Sequence, residues 1–168
     1  MVSRISDVPD LVRDGRLKPA TTFPKIRSLA ASTSWQEREV AATALVEISK
    51  KQGDAVLAEL RQWAKEQDSN VRRAASEGLR HLARHTPDAI VPILELLRSD
   101  EDLYVRKSVA NILRNAGKNH PQFVLALCRR WAQVRDKHTD WIIRDGLRKL
   151  CETEPEQVDD ILGLLGSN

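Results

Sequence analysis

Within Ser69-Asn-Val-Arg-Arg-Ala-Ala-Ser-Glu-Gly-Leu-Arg80 lies a short pattern, Val71-Arg72-Arg73-Ala74-Ala75, that returns along the chain. It recurs as Glu37-Arg38-Glu39-Val40-Ala41 and as Val105-Arg106-Lys107-Ser108-Val109, with the arginines 34 residues apart. A fourth copy, Ile143-Arg144-Asp145-Gly146-Leu147, follows after 38 residues. The agreement extends past the arginine. Seven residues on stand Leu45, Leu79, Leu113 and Cys151, and eighteen on stand Val56, Ile90, Val124 and Leu162. In the first three copies Trp63, Leu97 and Trp131 stand twenty-five residues on. A whole set of columns at one spacing marks an internal repeat.

Inside each copy the apolar positions recur every three and four residues, which is helical periodicity. Gly53-Asp54, Thr86-Pro87-Asp88, His120-Pro121 and Glu154-Pro155 interrupt the pattern, and Pro at a first helical turn opens a second helix. Each copy is therefore an antiparallel helical hairpin. One hairpin cannot bury both of its apolar faces, so successive hairpins must stack to make a core. The expected fold is an all-α, HEAT-like helical-repeat solenoid of about four hairpins, at 35–66, 69–98, 102–133 and 139–165. An N-terminal cap is expected at 7–31, with Phe23-Pro24 opening a helix through Ile26 and Leu29. The 168 residues are read as one domain, loose at 1–6 and at 166–168.

Composition agrees with that fold. Hydrophobic residues at 41% and charged residues at 30% suit a globular chain, and 4% aromatics with 7 Gly suits helices better than a sheet. No apolar run approaches the ~18 residues of a membrane span, and no signal-peptide stretch opens the sequence. A cytoplasmic monomer without membrane association is the expectation. Cys128 and Cys151 both fall in helical apolar patterns, so both are read as buried, reduced thiols. His81 and His85 stand four apart on a helix, but spacing supplies no third ligand, so no metal is expected. Phosphate loops, nucleophile triads and CxxC pairs are absent from the sequence, and no cofactor is expected.

The net charge of +3 is too small to identify a partner, but its placement is uneven. Residues 72–84 carry Arg72, Arg73, Arg80 and Arg84 against Glu77 alone, and 106–118 carry Arg106, Lys107, Arg114 and Lys118 against no acid. Acids gather instead at Asp88, Glu95, Asp100, Glu101 and Asp102. Offsets of one, five, eight and twelve from the repeat arginine share one helical face. They read Arg73, Glu77, Arg80, Arg84 in the second repeat and Lys107, Asn111, Arg114, Lys118 in the third. Such a face can neutralise phosphates, with affinity that falls steeply as salt rises. The repeat arginines themselves, Arg38, Arg72, Arg106 and Arg144, are read as structural hydrogen-bond donors between repeats. Trp63 and Trp131 are read as core.

Val71-Arg-Arg with Ser76-Glu77-Gly78, then Tyr104-Val-Arg with Ser108-Val-Ala-Asn111, then Lys118-Asn-His-Pro121 and Thr139-Asp-Trp-Ile-Ile-Arg-Asp-Gly-Leu-Arg148 resemble the bacterial HEAT-like DNA alkylation-repair glycosylases of the C and D types. The match runs over roughly 35–150 and is closest to the C type. The resemblance implies excision of cationic N3- or N7-alkylpurines from duplex DNA. A positively charged alkylpurine has a weak glycosidic bond, so a carboxylate that stabilises the developing sugar cation can suffice. By motif, Glu77 is the implied acid, Arg73 its companion one turn earlier, and Arg114 a functional arginine of the D type. Arg73, Arg80, Arg84, Lys107, Asn111, Arg114, Lys118 and Arg148 are the implied DNA contacts. Two departures stand out. The C type continues Ser-Glu-Gly with Leu-Pro-Trp where this chain reads Leu79-Arg80-His81, and its Leu-Asn-Asp is replaced by Leu113-Arg114-Asn115. The alternative is a non-catalytic repeat scaffold that binds DNA or a protein partner through the same basic face.

Overall fold

The structure, a computed structural model, describes residues 5–166; the expectation of loose ends falls partly on residues 1–4 and 167–168, outside the described residues. Among the described residues the regular elements are α-helices and two short 3-10 turns, with no strand. Two compact units divide the chain, Met1–Leu82 and Ala83–Asn168. The first holds α1 (Val8–Leu17), α2 (Pro19–Ala30), α3 (Trp35–Ser49), α4 (Gly53–Trp63) and α5 (Ser69–Glu77). The division falls inside α6 (Arg80–His85). The second unit holds α7 (Pro87–Leu97), α8 (Leu103–Gly117), α9 (Pro121–Ala132), α10 (Lys137–Leu147) and α11 (Pro155–Gly163).

The two helices of a hairpin start differently, and the sequence says why. Leading helices α5, α8 and α10 are capped by aspartates: Asp68 accepts from the Asn70 amide at 2.8 Å, Asp102 from the Tyr104 amide at 2.8 Å, and Asp136 from the Thr139 amide at 2.8 Å. Returning helices α7, α9 and α11 start on Pro87, Pro121 and Pro155, whose missing N–H costs nothing in a first turn. The N-terminal segment is two helices, and α2 starts at Pro19, so Phe23-Pro24 does not open it. Pro24 lies inside α2 on an exposed face, where its missing backbone bond leaves a carbonyl that water can satisfy.

In the first unit α3 packs against α1, α2, α4 and α5, burying Val40, Leu45, Ile48, Val56 and Leu60 completely. In the second, α8 packs against α7, α9 and α10 around Val105, Val109, Ile112, Ile90 and Val124. Trp63 and Trp131 are both core, each 1% exposed. The repeat arginines grip backbone carbonyls of the turn before their own helix. Arg38 donates to the Ser32 and Thr33 carbonyls, Arg72 to those of Glu66 and Gln67, and Arg106 to those of Asp100 and Glu101, at 2.7–2.9 Å. Arg144 differs and donates to the Gly166 carbonyl at 2.9 Å.

The fourth repeat also departs from the column register. Leu150 and Ile161 are buried where the repeat places Cys151 and Leu162, one residue earlier in each case. The cause is local: α10 ends at Leu147 and the chain tightens into a 3-10 turn, Leu150–Glu152, which rotates the following side chains. Cys151 is therefore exposed, correcting the expectation that both thiols are buried; Cys128 is buried, and burial pushes its pKa up.

Glu95 ties the second unit together and makes its stability depend on pH. Its carboxylate accepts from the Trp131 indole at 2.9 Å, from Arg130 at 2.6 Å and from Arg98 at 2.9 Å. Burial pushes the Glu95 pKa up, but these hydrogen bonds outweigh burial and hold it below its ordinary value. At Asp136 burial is likewise outweighed, by hydrogen bonds from Thr139. A carboxylate lowered in the folded state contributes stability that is complete above its unfolded value and is lost as pH falls through the folded one. Thermal stability is thus expected to decline below about pH 4.5. Glu95→Gln should flatten that decline and, because the side chain is partly solvent-screened, cost about 1 kcal/mol at neutral pH. A melting temperature that falls with acid equally in both proteins would remove Glu95 from the explanation.

Candidate nucleic-acid interface

Arg73, Glu77 and Arg80 lie on the first unit. The Arg73 guanidinium donates through Nε to Glu77 Oε1 at 2.7 Å, one turn along α5. Arg80 Nε donates to the Glu77 backbone carbonyl at 3.2 Å, just past the break between α5 and α6. Packing explains the flanking residues of Ser76-Glu77-Gly78. Ser76 is fully buried, and a side chain at Gly78 would put its Cβ 2.9 Å from Leu60 Cδ1 and 3.2 Å from Leu45 Cβ. The outer two residues are small because α5 lies close against α3 and α4, and Glu77 alone points outward. Its side chain keeps only 21% of its surface exposed, so it is presented within a partly enclosed setting.

Arg84, Lys107, Asn111, Arg114, Lys118 and Arg148 lie on the second unit. Arg84 Nη2 donates to Asn115 Oδ1 at 3.0 Å, and Asn115 Nδ2 donates to the Asn111 carbonyl at 2.9 Å. Lys107 is exposed, with its ammonium 5.3 Å from the Tyr104 ring centroid. Ser108-Val-Ala-Asn111 repeats the logic of the first motif: Ser108, Val109 and Ala110 are buried, and Asn111 is exposed. Asn111, Arg114 and Lys118 come together along one half-open groove of about 570 Å³, walled on the other side by Gly146, Lys149 and Leu150.

Arg114 enters this site as half of an ion pair. Its Nη1 donates to Asp145 Oδ2 at 2.7 Å and to the Asp145 carbonyl at 2.9 Å, and Arg148 lies 3.6 Å from the other carboxylate oxygen. Asp145 is a residue the repeat reading did not assign. Asn115 had replaced the second acid of the motif, yet a carboxylate reaches the same helix from α10. The available signal was the spacing: Asp145 follows Arg114 by 31 residues, close to one repeat, and sits beside Gly146. That glycine permits the approach, because a Cβ there would fall 2.7 Å from Leu113 Cδ1 and 3.1 Å from Leu113 Cβ.

Among the described residues no cluster of three or more His, Cys, Asp or Glu is placed to hold a metal ion, and no helix is long and apolar enough to cross a membrane. Trp141 stacks under Arg106, 5.7 Å from ring to guanidinium, and Trp35 is 65% exposed; neither is near Glu77 in sequence. Leu79 keeps the leucine of the motif and is buried core, and His81 stands where the resemblance leads toward a tryptophan.

Three solved structures resemble this chain over most of its length. The Pseudomonas fluorescens alkylpurine DNA glycosylase AlkC, bound to DNA containing an abasic-site analogue, is 27% identical with a TM-score of 0.79 over 94% of this chain and 45% of that one. AlkD2 from Streptococcus mutans is 27% identical, TM-score 0.68, over 80% of this chain and 68% of its own. The protein smu.31 from Streptococcus mutans UA159 is 28% identical, TM-score 0.64, over 76% and 67%. This chain thus spans less than half the length of the Pseudomonas chain. A sequence search against curated proteins returns no significant match. The family described as HEAT repeats matches residues 23–114, more than half of the 168, and its hairpins are those built above: the chain belongs to the HEAT-repeat proteins.

Proposed function

We propose that this chain is a DNA-binding HEAT-repeat protein of the alkylation-repair type that excises cationic N3- and N7-alkylpurines from duplex DNA. The observation that carries the reading is the Glu77 carboxylate, held at 2.7 Å by Arg73 on an outward position between two packed small residues. The likeness to a DNA-bound alkylpurine glycosylase over 94% of the chain supports it. In this reading Arg73 orients Glu77, and Glu77 stabilises the sugar cation as the alkylpurine departs. Arg80, Arg84, Lys107, Lys118 and Arg148 neutralise backbone phosphates, while Asn111 and Arg114 contact the strand, Arg114 with part of its charge offset by Asp145. Release of methylated bases from alkylated DNA by the purified protein tests the reading directly.

One observation favours a second reading, a scaffold that binds DNA without chemistry. No tryptophan follows Ser76-Glu77-Gly78, where Leu79 is buried and Arg80 and His81 come next. Both readings require salt-sensitive binding, and the face is tested by charge reversal. Lys107→Glu with Lys118→Glu alters two exposed cations, one on α8 and one just past its end, whereas Arg61→Glu with Arg129→Glu alters two on returning helices. The first pair is expected to lower duplex affinity and to reduce the slope of log K against log salt by about 2, one for each lost phosphate contact. Equal losses from the two pairs would mean that only total charge matters.

A further inference from the structure

The turn Lys118-Asn119-His120-Pro121 does more than link α8 to α9. His120 holds the N-cap position of α9, yet its side chain makes no cap bond there. Its Nε2 lies instead 2.9 Å from the Arg84 carbonyl, and Asn119 Nδ2 donates to the same carbonyl at 3.2 Å. A carbonyl only accepts, so the His120 ring carries a proton on Nε2. Arg84 is the penultimate residue of α6, where a helix leaves its carbonyls without partners of its own. At its other end the Arg84 side chain donates through Nη2 to Asn115 Oδ1 at 3.0 Å. One arginine is thus held by backbone and by side chain, both from α8 and the turn that follows it.

The first unit contains the same arrangement with one difference. Gln52, at the N-cap of α4, donates through Nε2 to the carbonyl of Arg16, the penultimate residue of α1, at 2.9 Å. Arg16 Nη2 donates to the Glu47 carbonyl at 3.0 Å. Arg16, Glu47 and Gln52 each precede Arg84, Asn115 and His120 by 68 residues, twice the 34-residue repeat. The difference is charge. The Glu47 carboxylate lies 4.0 Å from Arg16, whereas Asn115 offers Arg84 a neutral oxygen. Arg84 makes no ion pair among the described residues and is exposed. The second unit therefore anchors a guanidinium without neutralising it.

We propose that Asn119 and His120 are positioning residues for DNA binding, which hold Arg84 by its carbonyl so that its guanidinium meets a backbone phosphate at a fixed place. The inference rests on the DNA-binding reading and names how one of its contacts is prepared. Arg84 spends one of its N–H groups on Asn115 and keeps the others for phosphate oxygens. A side chain already held costs less to order when the strand arrives.

The test measures duplex affinity of the full-length chain across a range of salt concentrations. Arg84→Ala should weaken binding severalfold and reduce the slope of log K against log salt by about 1, the value of one phosphate contact. Asn119→Ala with His120→Ala should reduce the slope by the same amount, although it removes no arginine or lysine. Added to Arg84→Ala, the pair should reduce it no further, because all three act through one contact. His120→Gln supplies the amide donor that Gln52 uses in the first unit, and should keep the wild-type slope. A bond that mattered only for stability would lower the melting temperature and leave the slope alone. If the double variant does not fold, His120→Ala against His120→Gln makes the same comparison. An unchanged slope on loss of these donors, or a further drop when they are removed from Arg84→Ala, would overturn the inference. An unchanged slope in Arg84→Ala overturns it too, and leaves DNA binding to the remaining cations. Absence of salt-sensitive duplex binding in the wild type rejects the DNA-binding reading and the inference with it.

Discussion

Glu77→Gln is expected to lower the rate of alkylpurine release about a hundredfold, equivalent to the ~3 kcal/mol that one lost transition-state charge contact is worth. The argument turns on where charge develops. In the ground state the positive charge resides on the alkylated purine. As the glycosidic bond breaks, its electron pair goes to the base and the sugar carbon becomes cationic before water adds to it. A carboxylate next to that carbon favours the second charge distribution, and an amide of the same shape does not. The same carboxylate repels phosphate, so the variant should bind DNA as tightly as the wild type or more tightly. Lost stability cannot mimic the effect, because an ion pair four residues apart on a helix contributes only about 0.2–0.5 kcal/mol. Melting temperatures of the two proteins should therefore nearly coincide. Full activity in Glu77→Gln would reject this residue as the acid. Failure of the wild type to release any base, with salt-sensitive binding intact, would select the non-catalytic scaffold.

The readability of this fold from its sequence came from repetition, and it failed where repetition failed. Columns seven and eighteen residues past the arginine are buried in the first three repeats because each hairpin offers its neighbour the same side chains at the same height. After the 38-residue interval the 3-10 turn at Leu150–Glu152 shifts both columns by one, and Cys151 leaves the core. No propensity in Lys149-Leu150-Cys151 announces that turn. The candidate site divides in the same way. Glu77 and Asn111 were legible as the outward-facing members of otherwise buried motifs, because helical periodicity alone assigns them to the outer face. Asp145 was not, since its role arises from the approach of α10 to α8. Periodicity within one helix carries no information about which side chain of the next helix comes within 2.7 Å.

That approach rests on Gly146, and replacing it should have the largest structural consequence of any single change on this face. In Gly146→Val the new Cβ would meet Leu113 at 2.7 Å through Cδ1 and at 3.1 Å through Cβ. The methyl could rotate away, but the Leu113 Cβ is attached to the α8 backbone and cannot. The helices must therefore separate by several tenths of an ångström, a shift that a fully packed core resists. Overpacking of this kind costs about 1–3 kcal/mol, and the lower helix propensity of valine compared with alanine removes much of what leaving glycine would otherwise gain. The melting temperature should fall by roughly 4–8 °C per kcal/mol if the unit melts alone as a small domain, and by about half that if the whole chain melts together. A second effect separates local strain from general damage. Widening the gap lengthens the 2.7 Å bond from Arg114 to Asp145, freeing a guanidinium that the carboxylate now neutralises. Duplex affinity measured well below the melting transition should then be retained or rise in Gly146→Val while stability falls. Gly146→Ala carries the same Cβ without the branches, and should show the same pattern at smaller amplitude. A variant as stable as the wild type would mean that α10 and α8 do not meet as closely as Gly146 requires. A matched loss of stability and affinity would mean that Asp145 supports the interface directly and does not compete with it.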